Sequence, residues 1–397
     1  MHKIQEPGRP GARGARPSDG VGAREKAQVC EGFAVQTLDG LIFTVKGLLH
    51  PPDRVIAYLR YVPDPQGDRD RGGVRYRRVY HFQEQLEILR ARYPDYLKQD
   101  PVFGLLLQSV PRRLIRTVYN PCHCLARLRR RGPADRVEEH ALGLAEVLHA
   151  AAGVPWENLG ISGSLMVGTH TPDSDVDLIV YGEAAGRAVH QALLSLLEDP
   201  TGPVRRPDRE ELSALHAMHR PDTPLSFTDF TRLQNRKANE GRFQGREYFV
   251  RFVKWPADST RMSFIRNRAD KRRPSGRRHP AESGERYGDC RFEPLGEVTI
   301  RARVTDDRDA IFTPCCYSVA DVTFLDGSSV ADLRKVTSFR GRFSEQVRVG
   351  EWAVARGSLE RVACRAETGY HRLVVGGRAG DYLASESASQ RVSESAS

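Results

Sequence analysis

The 397-residue sequence predicts a mixed α+β protein of two or three domains, each long enough to bury its own core. Three observations carry this prediction. Apolar residues recur at three- and four-residue spacing between Phe82 and Asp199, short strand-like runs flank that helical region on both sides, and Gly/Pro/Arg- or Ser-rich stretches without periodicity separate or end them. A hydrophobic fraction of 39% and a charged fraction of 28% are those of a globular chain.

Residues 1–35 are read as a tail, because MHKIQEPGRPGARGARPSDGVGAREKA cannot bury enough surface to offset its ordering entropy. Residues 36–130 are expected to form an N-terminal α+β module. In it LIFTVKGLL, RVIAYLRYV and VRYRRVY pair as an antiparallel meander, and Leu86, Leu89 and Tyr93 mark a short amphipathic helix. A catalytic core is expected over 131–256. It opens with a helix capped at Asp135, with Glu138 three residues on, that ends at Gly153. A second helix runs from Gly182 to Asp199 with Val189, Leu193, Leu196 and Leu197 on one face.

Residues 257–285 are read as a flexible basic insertion, since Arg261, Arg266, Arg268, Lys271, Arg272, Arg273, Arg277 and Arg278 face a single acid, Asp270. Residues 286–384 hold EVTIRARVTD, AIFTPCCYSVADVTFLDG, VTSFRGRF, EWAVARGSLERVACR and YHRLVVGG, strands spaced for a small β-barrel-like domain. The Ser/Ala/Glu-biased residues 385–397 are read as a second tail.

Lys+Arg at 61 against Asp+Glu at 51 gives a net charge of +10, a balance that favours polyanionic partners such as nucleic acid and nucleotides, or simply a solvated basic surface. The seven cysteines are odd in number and scattered, which suits a disulfide framework poorly and a reducing compartment better. Cys122-His123-Cys124 lacks the second ligand pair that a zinc site wants. No apolar run approaches the roughly 20 residues of a membrane span, and no signal-peptide core is present, so a cytoplasmic protein without a membrane partner is expected.

The chemistry concentrates in LGISGSLMVGTHTPDSDVDLIVY, Leu159 to Tyr181, which reads as strand, Gly-Ser turn, short helix, loop and apolar strand. Gly163 lets the backbone approach a phosphate, Ser164 offers a hydroxyl, and the helix that follows turns free N–H groups toward an anion. Residues two apart on a strand share a face, so Asp175 and Asp177 set two carboxylates side by side. Such a pair is costly unless a cation neutralises it, and Mg²⁺ or Mn²⁺ held with substrate phosphates is the natural occupant. The bland alternative is an acidic turn edge, with the glycines serving geometry alone.

Gly163-Ser164 followed by Ser174-Asp175-Val176-Asp177-Leu178 resembles the signature of the DNA polymerase beta nucleotidyltransferase superfamily. More loosely, the chain from Asp39 through the C-terminal strands is similar to uncharacterised archaeal and bacterial nucleotidyltransferase-domain proteins. The resemblance implies a polymerase-beta-like core that moves a nucleoside monophosphate from a nucleoside triphosphate to an acceptor hydroxyl. Asp175 and Asp177 would be the metal ligands, and Gly163 and Ser164 the nucleotide-binding residues. RNA or DNA is one class of acceptor. A protein or small-molecule acceptor, or a nucleotide- or RNA-binding regulator that has lost turnover, is the alternative.

The family pattern adds a third carboxylate on a later strand, where EYFVRFVKW offers Glu247 and the upstream SFTDF offers Asp229. Arg246, Arg251 and Lys254 could meet phosphates or be solvated strand-edge cations. Phe339-Arg340-Gly341-Arg342-Phe343 reads as a single-strand-binding interleave or as an alternating strand with its phenylalanines inward. Of the histidines, His170 lies nearest the motif in sequence, while His140, His149 and His190 fall in helices.

Overall fold

The computed structural model describes residues 29–219, 225–254, 286–365 and 369–386. The basic run and most of both expected tails lie outside these residues. The chain is mixed α+β, with three sheets and seven helices among the described residues.

The N-terminal module is an eight-stranded antiparallel assembly. Its strands are β1 (Ala34–Thr37), β2 (Ile42–Val45), β3 (Arg54–Pro63), β4 (Arg69–Arg71), β5 (Val74–Arg78), β6 (Leu97–Gln99), β7 (Leu106–Pro111) and β8 (Ile115–Tyr119). The order is β4-β5-β3-β2-β1-β8, with β7 on β3 and β6 on β7. Helix α1 (Phe82–Arg92) buries Leu86 and Leu89, the residues that its apolar spacing singled out. Val29 to Phe33, within the stretch read as a tail, are buried, and Glu31 among them is fully so. Composition concealed this, because one buried acid is enough to anchor a segment when cations meet it.

Helix α2 (Pro121–Arg131) is capped by the Asn120 side chain, which accepts from the N–H groups of Cys122 and His123. Helix α3 (Arg136–Ala152) is capped by Asp135 and ends at Gly153 in the left-handed region, φ 64°. The core sheet follows, in the order β11-β12-β13-β10-β9. Its elements are β9 (Leu159–Ile161), α4 (Gly163–Val167), β10 (Val176–Tyr181), α5 (Glu183–Leu196), β11 (Val204–Arg205), α6 (Arg209–His219), α7 (Phe227–Gln234), β12 (Glu240–Phe243) and β13 (Arg246–Val253). β10 and β13 are parallel, with Asp177 beside Phe249 and Ile179 beside Arg251.

This sheet is covered on both faces, which is why β10 reads as an almost unbroken apolar run. Val176, Leu178 and Val180 pack with Val250 and Phe252 in one core with residues of α3 and α5. Ile179, Tyr181 and Val253 enter the core of the N-terminal module instead. Asp177 lies on that second face, where the charges of Arg60 and Arg78 of the N-terminal module reach it.

The C-terminal domain is built from β14 (Cys290–Asp309), β15 (Cys315–Asp326), β16 (Leu333–Ser338), β17 (Trp352–Cys364), β18 (Tyr370–Val374) and β19 (Tyr382–Ser385). The order β14-β15-β16-β18-β17 closes on itself because β17 also pairs with β14, and β16 and β18 run parallel. A closed ring removes exposed sheet edges. The domain is tied to the core by Lys254 and Asp309 at 2.6 Å, His190 and Glu345 at 2.7 Å, and Arg236 and Glu351 at 2.7 Å.

Two expectations are corrected here. Cys290 and Cys364 oppose each other across β14 and β17 and form a disulfide, a pairing that a separation of 74 residues hid; the other five cysteines are free. The Phe339–Phe343 run is not an alternating strand. β16 stops at Ser338, Gly341–Phe343 forms a 3-10 turn, and Phe343 is fully buried in the barrel, out of reach of a stacking base. Among the described residues no helix is long and apolar enough to cross a membrane.

Candidate functional site

The turn between β9 and α4 is fixed to β10 from two directions. The Ser162 N–H donates to the Asp177 carbonyl at 2.8 Å, and Gly163 adopts φ 64°, a conformation that L side chains resist. A Cβ at position 163 would stand 2.9 Å from the Asp177 carboxyl carbon. Glycine is therefore required twice, by backbone conformation and by the close approach of Asp177. Ser164 is buried in the first turn of α4, and its carbonyl accepts from the Thr169 N–H at 3.0 Å.

Asp175 immediately precedes β10 and Asp177 is its second residue; both are half-buried. Burial, and then the neighbouring Asp175 charge, push the Asp177 carboxyl up to about 6, although Arg251, Arg60 and Arg78 pull it down. Two of these cations come from the N-terminal module. Arg60 on β3 and Arg78 on β5 flank the Tyr80 ring, at 5.2 Å and 4.3 Å from its centre. Burial and the neighbouring Arg78 hold Arg60 below the usual arginine range. The Arg78 Nε is buried without a hydrogen-bond partner. Neither arginine stands out in the local pattern; the signal available was Arg60 among the apolar residues of RVIAYLRYV and the three arginines of VRYRRVY.

The other expected residues separate in space. Arg246 donates to the carbonyls of Pro172 and Ser174 at 2.8 and 2.7 Å and to His140 Nδ1 at 3.0 Å, so it holds the loop that delivers Asp175. Arg251 is engaged by Glu31 at 2.7 Å, where Lys46 also arrives at 3.1 Å. Burial pushes the Glu31 carboxyl up, but Lys46, Arg251 and the Gly47 N–H outweigh it and hold the acid low. Lys254 pairs with Asp309 and Glu183 at the junction with the barrel and is not part of the aspartate pair's surroundings.

Glu247 lies on the same face of β13 as Phe249, and stepping the register back from Val176 and Tyr248 sets it beside Asp175. Its carboxylate meets Arg242 at 3.0 Å. Asp229 instead lies in the first turn of α7, bonded to Ser226 and Arg232. His170 leans away from the aspartates onto Asp135 at 2.8 Å.

His170, Asp135 and Glu138 bring their ligand atoms within 4.8 Å of one another, a second acidic group that the sequence reading did not assemble. Its charges are already matched. The Asp135 carboxylate caps α3, Glu138 meets Arg131 and the Ala134 N–H, and both acids are held low against the upward push of their partial burial. Cys122 and Cys124 stand on α2, and burial drives the Cys122 thiol up to about 12, an environment that disfavours a metal-binding thiolate.

Compared with known proteins, the chain is 26% identical over 353 residues to an uncharacterized protein of Methanocaldococcus jannaschii, covering 86% of this chain and 94% of that relative. No family model matches the sequence. No solved structure matches it either.

Proposed function

We propose that the cleft beside β10 carries out nucleotidyl transfer: an acceptor hydroxyl displaces pyrophosphate from the α-phosphate of a nucleoside triphosphate and takes up the nucleoside monophosphate. One observation carries this reading. A carboxyl pair with Asp177 pushed up to about 6 calls for a cation, while Arg60 and Arg78, whose charges pull on Asp177, form no close ion pair among the described residues and are open to a further anion. A divalent metal with a triphosphate supplies both charges to one place.

The residues present fit the metal, since Asp177 on β10 and Asp175 immediately before it are hard oxygen donors and Gly163 keeps the space against Asp177 free of side chain. When bound there, Mg²⁺ or Mn²⁺ would polarise the phosphoryl oxygens and neutralise charge as pyrophosphate departs. Arg60 and Arg78 would hold the phosphates and Gly163 would give them backbone access. Arg246 keeps the Asp175 loop in place through Pro172 and Ser174. Glu247, set beside Asp175 by the register of β13, would draw the proton from the acceptor hydroxyl.

The acceptor in this reading is nucleic acid, supported by the net charge of +10 and by a closed five-stranded barrel, an architecture suited to oligonucleotides. A second reading, a nucleotide-binding regulator without turnover, has its own support. The residue directly beside Asp177 on β13 is Phe249, not an acid, and Glu247 is engaged by Arg242. Labelled ATP, CTP, GTP and UTP with Mg²⁺ or Mn²⁺ decide between them. Label entering RNA or DNA supports the first reading, and label entering protein or a small molecule changes the acceptor class. Nucleotide retention without transfer supports the regulator. The variant Asp175→Asn with Asp177→Asn should lose transfer while folding; undiminished transfer in it would show that the site lies elsewhere.

A further inference from the structure

We propose that the C-terminal β-domain completes the cleft from its own side, with Arg340 as a third phosphate-binding guanidinium alongside Arg60 and Arg78. The inference rests on the nucleotidyl-transfer reading and adds that the triphosphate is gripped by two domains outside the core sheet.

The bend after β16 is wedged between the other two parts of the molecule. The Gly341 backbone lies against the Phe249 ring so closely that a Cβ there would approach ring carbons to 3.0 and 3.2 Å. Phe249 is the β13 neighbour of Asp177, so the wedge reaches the strand beside Asp177. On the other side, the Phe339 ring comes within 3.9 Å of where a Cβ on Gly47 would stand, in the N-terminal module. Arg340 is thus bracketed by one neighbour touching the core and another touching the module. Its charge is felt by Tyr58 and Lys46. Tyr58 is two residues from Arg60 on β3, and so projects from the same face of that strand.

What distinguishes Arg340 is the lack of a partner at a half-buried position. Arginines of the barrel such as Arg301, Arg303, Arg308, Arg334, Arg356, Arg361, Arg372 and Arg378 are each met by a carboxylate. Arg340 is half-buried, and among the described residues its guanidinium has neither a hydrogen bond nor an ion pair. Desolvating a guanidinium without an ion-pair partner is costly, and the same cost recurs at Arg60, which shares the β3 face with Tyr58, and at Arg78 across the Tyr80 ring from it. A polyphosphate is the ligand chemistry that relieves all three, because each fork-shaped guanidinium can bind phosphate oxygens in pairs.

The test is calorimetric titration of the full chain with inorganic tripolyphosphate and Mg²⁺, comparing the native protein with Arg340→Ala, Arg340→Gln, Arg340→Lys and, as a control on the exposed barrel surface, Arg291→Ala. The expected result is binding to the native protein, weakened at least about tenfold in the alanine and glutamine variants. The lysine variant should fall between, since it keeps the charge and loses the fork, and Arg291→Ala should be unchanged. Thermal midpoints within about 2 °C of native would separate loss of a ligand contact from loss of structure. If Arg340→Ala does not fold, the glutamine variant carries the comparison. Native binding that Arg340→Ala and Arg340→Gln leave intact would overturn the role of Arg340 and leave nucleotidyl transfer to the labelling assay. A native protein that neither binds tripolyphosphate nor transfers label would overturn both.

Discussion

Two acidic clusters lie within a few residues of the same loop, and they differ in how their charges are satisfied. Asp135 and Glu138 accept backbone N–H groups, one at the start of α3 and the other from Ala134, and meet His170 and Arg131; both carboxyls are held low. Asp177 has the opposite balance, because burial and Asp175 drive it up to about 6 against the pull of three arginines. The first cluster is complete as a piece of structure, whereas in the second, burial and a neighbouring carboxylate outweigh the pull of the arginines. The proposed metal site is placed at the second cluster on its less fully matched charge, not on the proximity of acids alone.

The largest effect that tests this contrast is on turnover. Asp177→Asn should lower nucleotidyl transfer by about a thousandfold or more, the scale of several kcal/mol of charge stabilisation. Asp135→Asn should leave transfer within about twofold. Initial rates of label incorporation under saturating nucleotide measure both, and equal losses in the two variants would erase the distinction.

A stability effect of order one to a few kcal/mol is expected at Gly163. Alanine there must hold φ 64° and meet the Asp177 carboxyl, so Gly163→Ala should cost about 1 to 3 kcal/mol in urea unfolding and abolish metal binding as well. The double variant Gly163→Ala with Asp177→Gly should recover part of the stability but none of the activity. Recovery of both would mean that the close approach matters only for packing.

How much of this was legible beforehand follows from the range of each interaction. The α3 cap, the β9-turn-β10 unit and the placing of Asp175 and Asp177 depend on residues within a short stretch of chain, and periodicity with capping chemistry was enough to read them. Arg60 and Arg78 reach Asp177 from the N-terminal module, and nothing in a local pattern distinguishes a cation facing solvent from one facing a carboxylate across an interface. Glu31 failed for a related reason, since its Gly- and Arg-rich flank suggested a tail while its partners Lys46 and Arg251 come from distant strands. The two strands that bring Cys290 to Cys364 likewise meet only when the barrel closes.

The raised Asp177 carboxyl also predicts a pH dependence of definite sign. Its folded value of about 6 lies above the ordinary 3.8, so the native state favours the protonated acid. The contribution to metal-free stability is fully present below about pH 4 and lost as pH rises through 6. Its size is up to roughly 3 kcal/mol, less what solvent screening removes from a half-buried group. The difference in unfolding free energy between the native protein and Asp177→Asn should therefore change across pH 4 to 6 without metal, and flatten when Mg²⁺ is added. A difference independent of pH would remove the argument that Asp177 awaits a cation.

The smallest effect concerns the matched cluster. Asp135→Ala should cost about 1 kcal/mol through loss of the α3 cap, with nucleotide binding unchanged, as read by thermal unfolding and titration.

Mn²⁺ binding in the presence of a nucleoside triphosphate, followed by electron paramagnetic resonance, tests the central claim most directly because it compares the two clusters in one experiment. Three proteins are needed: the native chain, Asp175→Asn with Asp177→Asn, and Asp135→Asn with Glu138→Gln. The native chain and the Asp135/Glu138 variant should bind Mn²⁺ alike, while the Asp175/Asp177 variant should leave the ion free in solution. Retention of Mn²⁺ by the Asp175/Asp177 variant, with loss in the Asp135/Glu138 variant, would contradict the central claim and move the metal to the cluster at the start of α3.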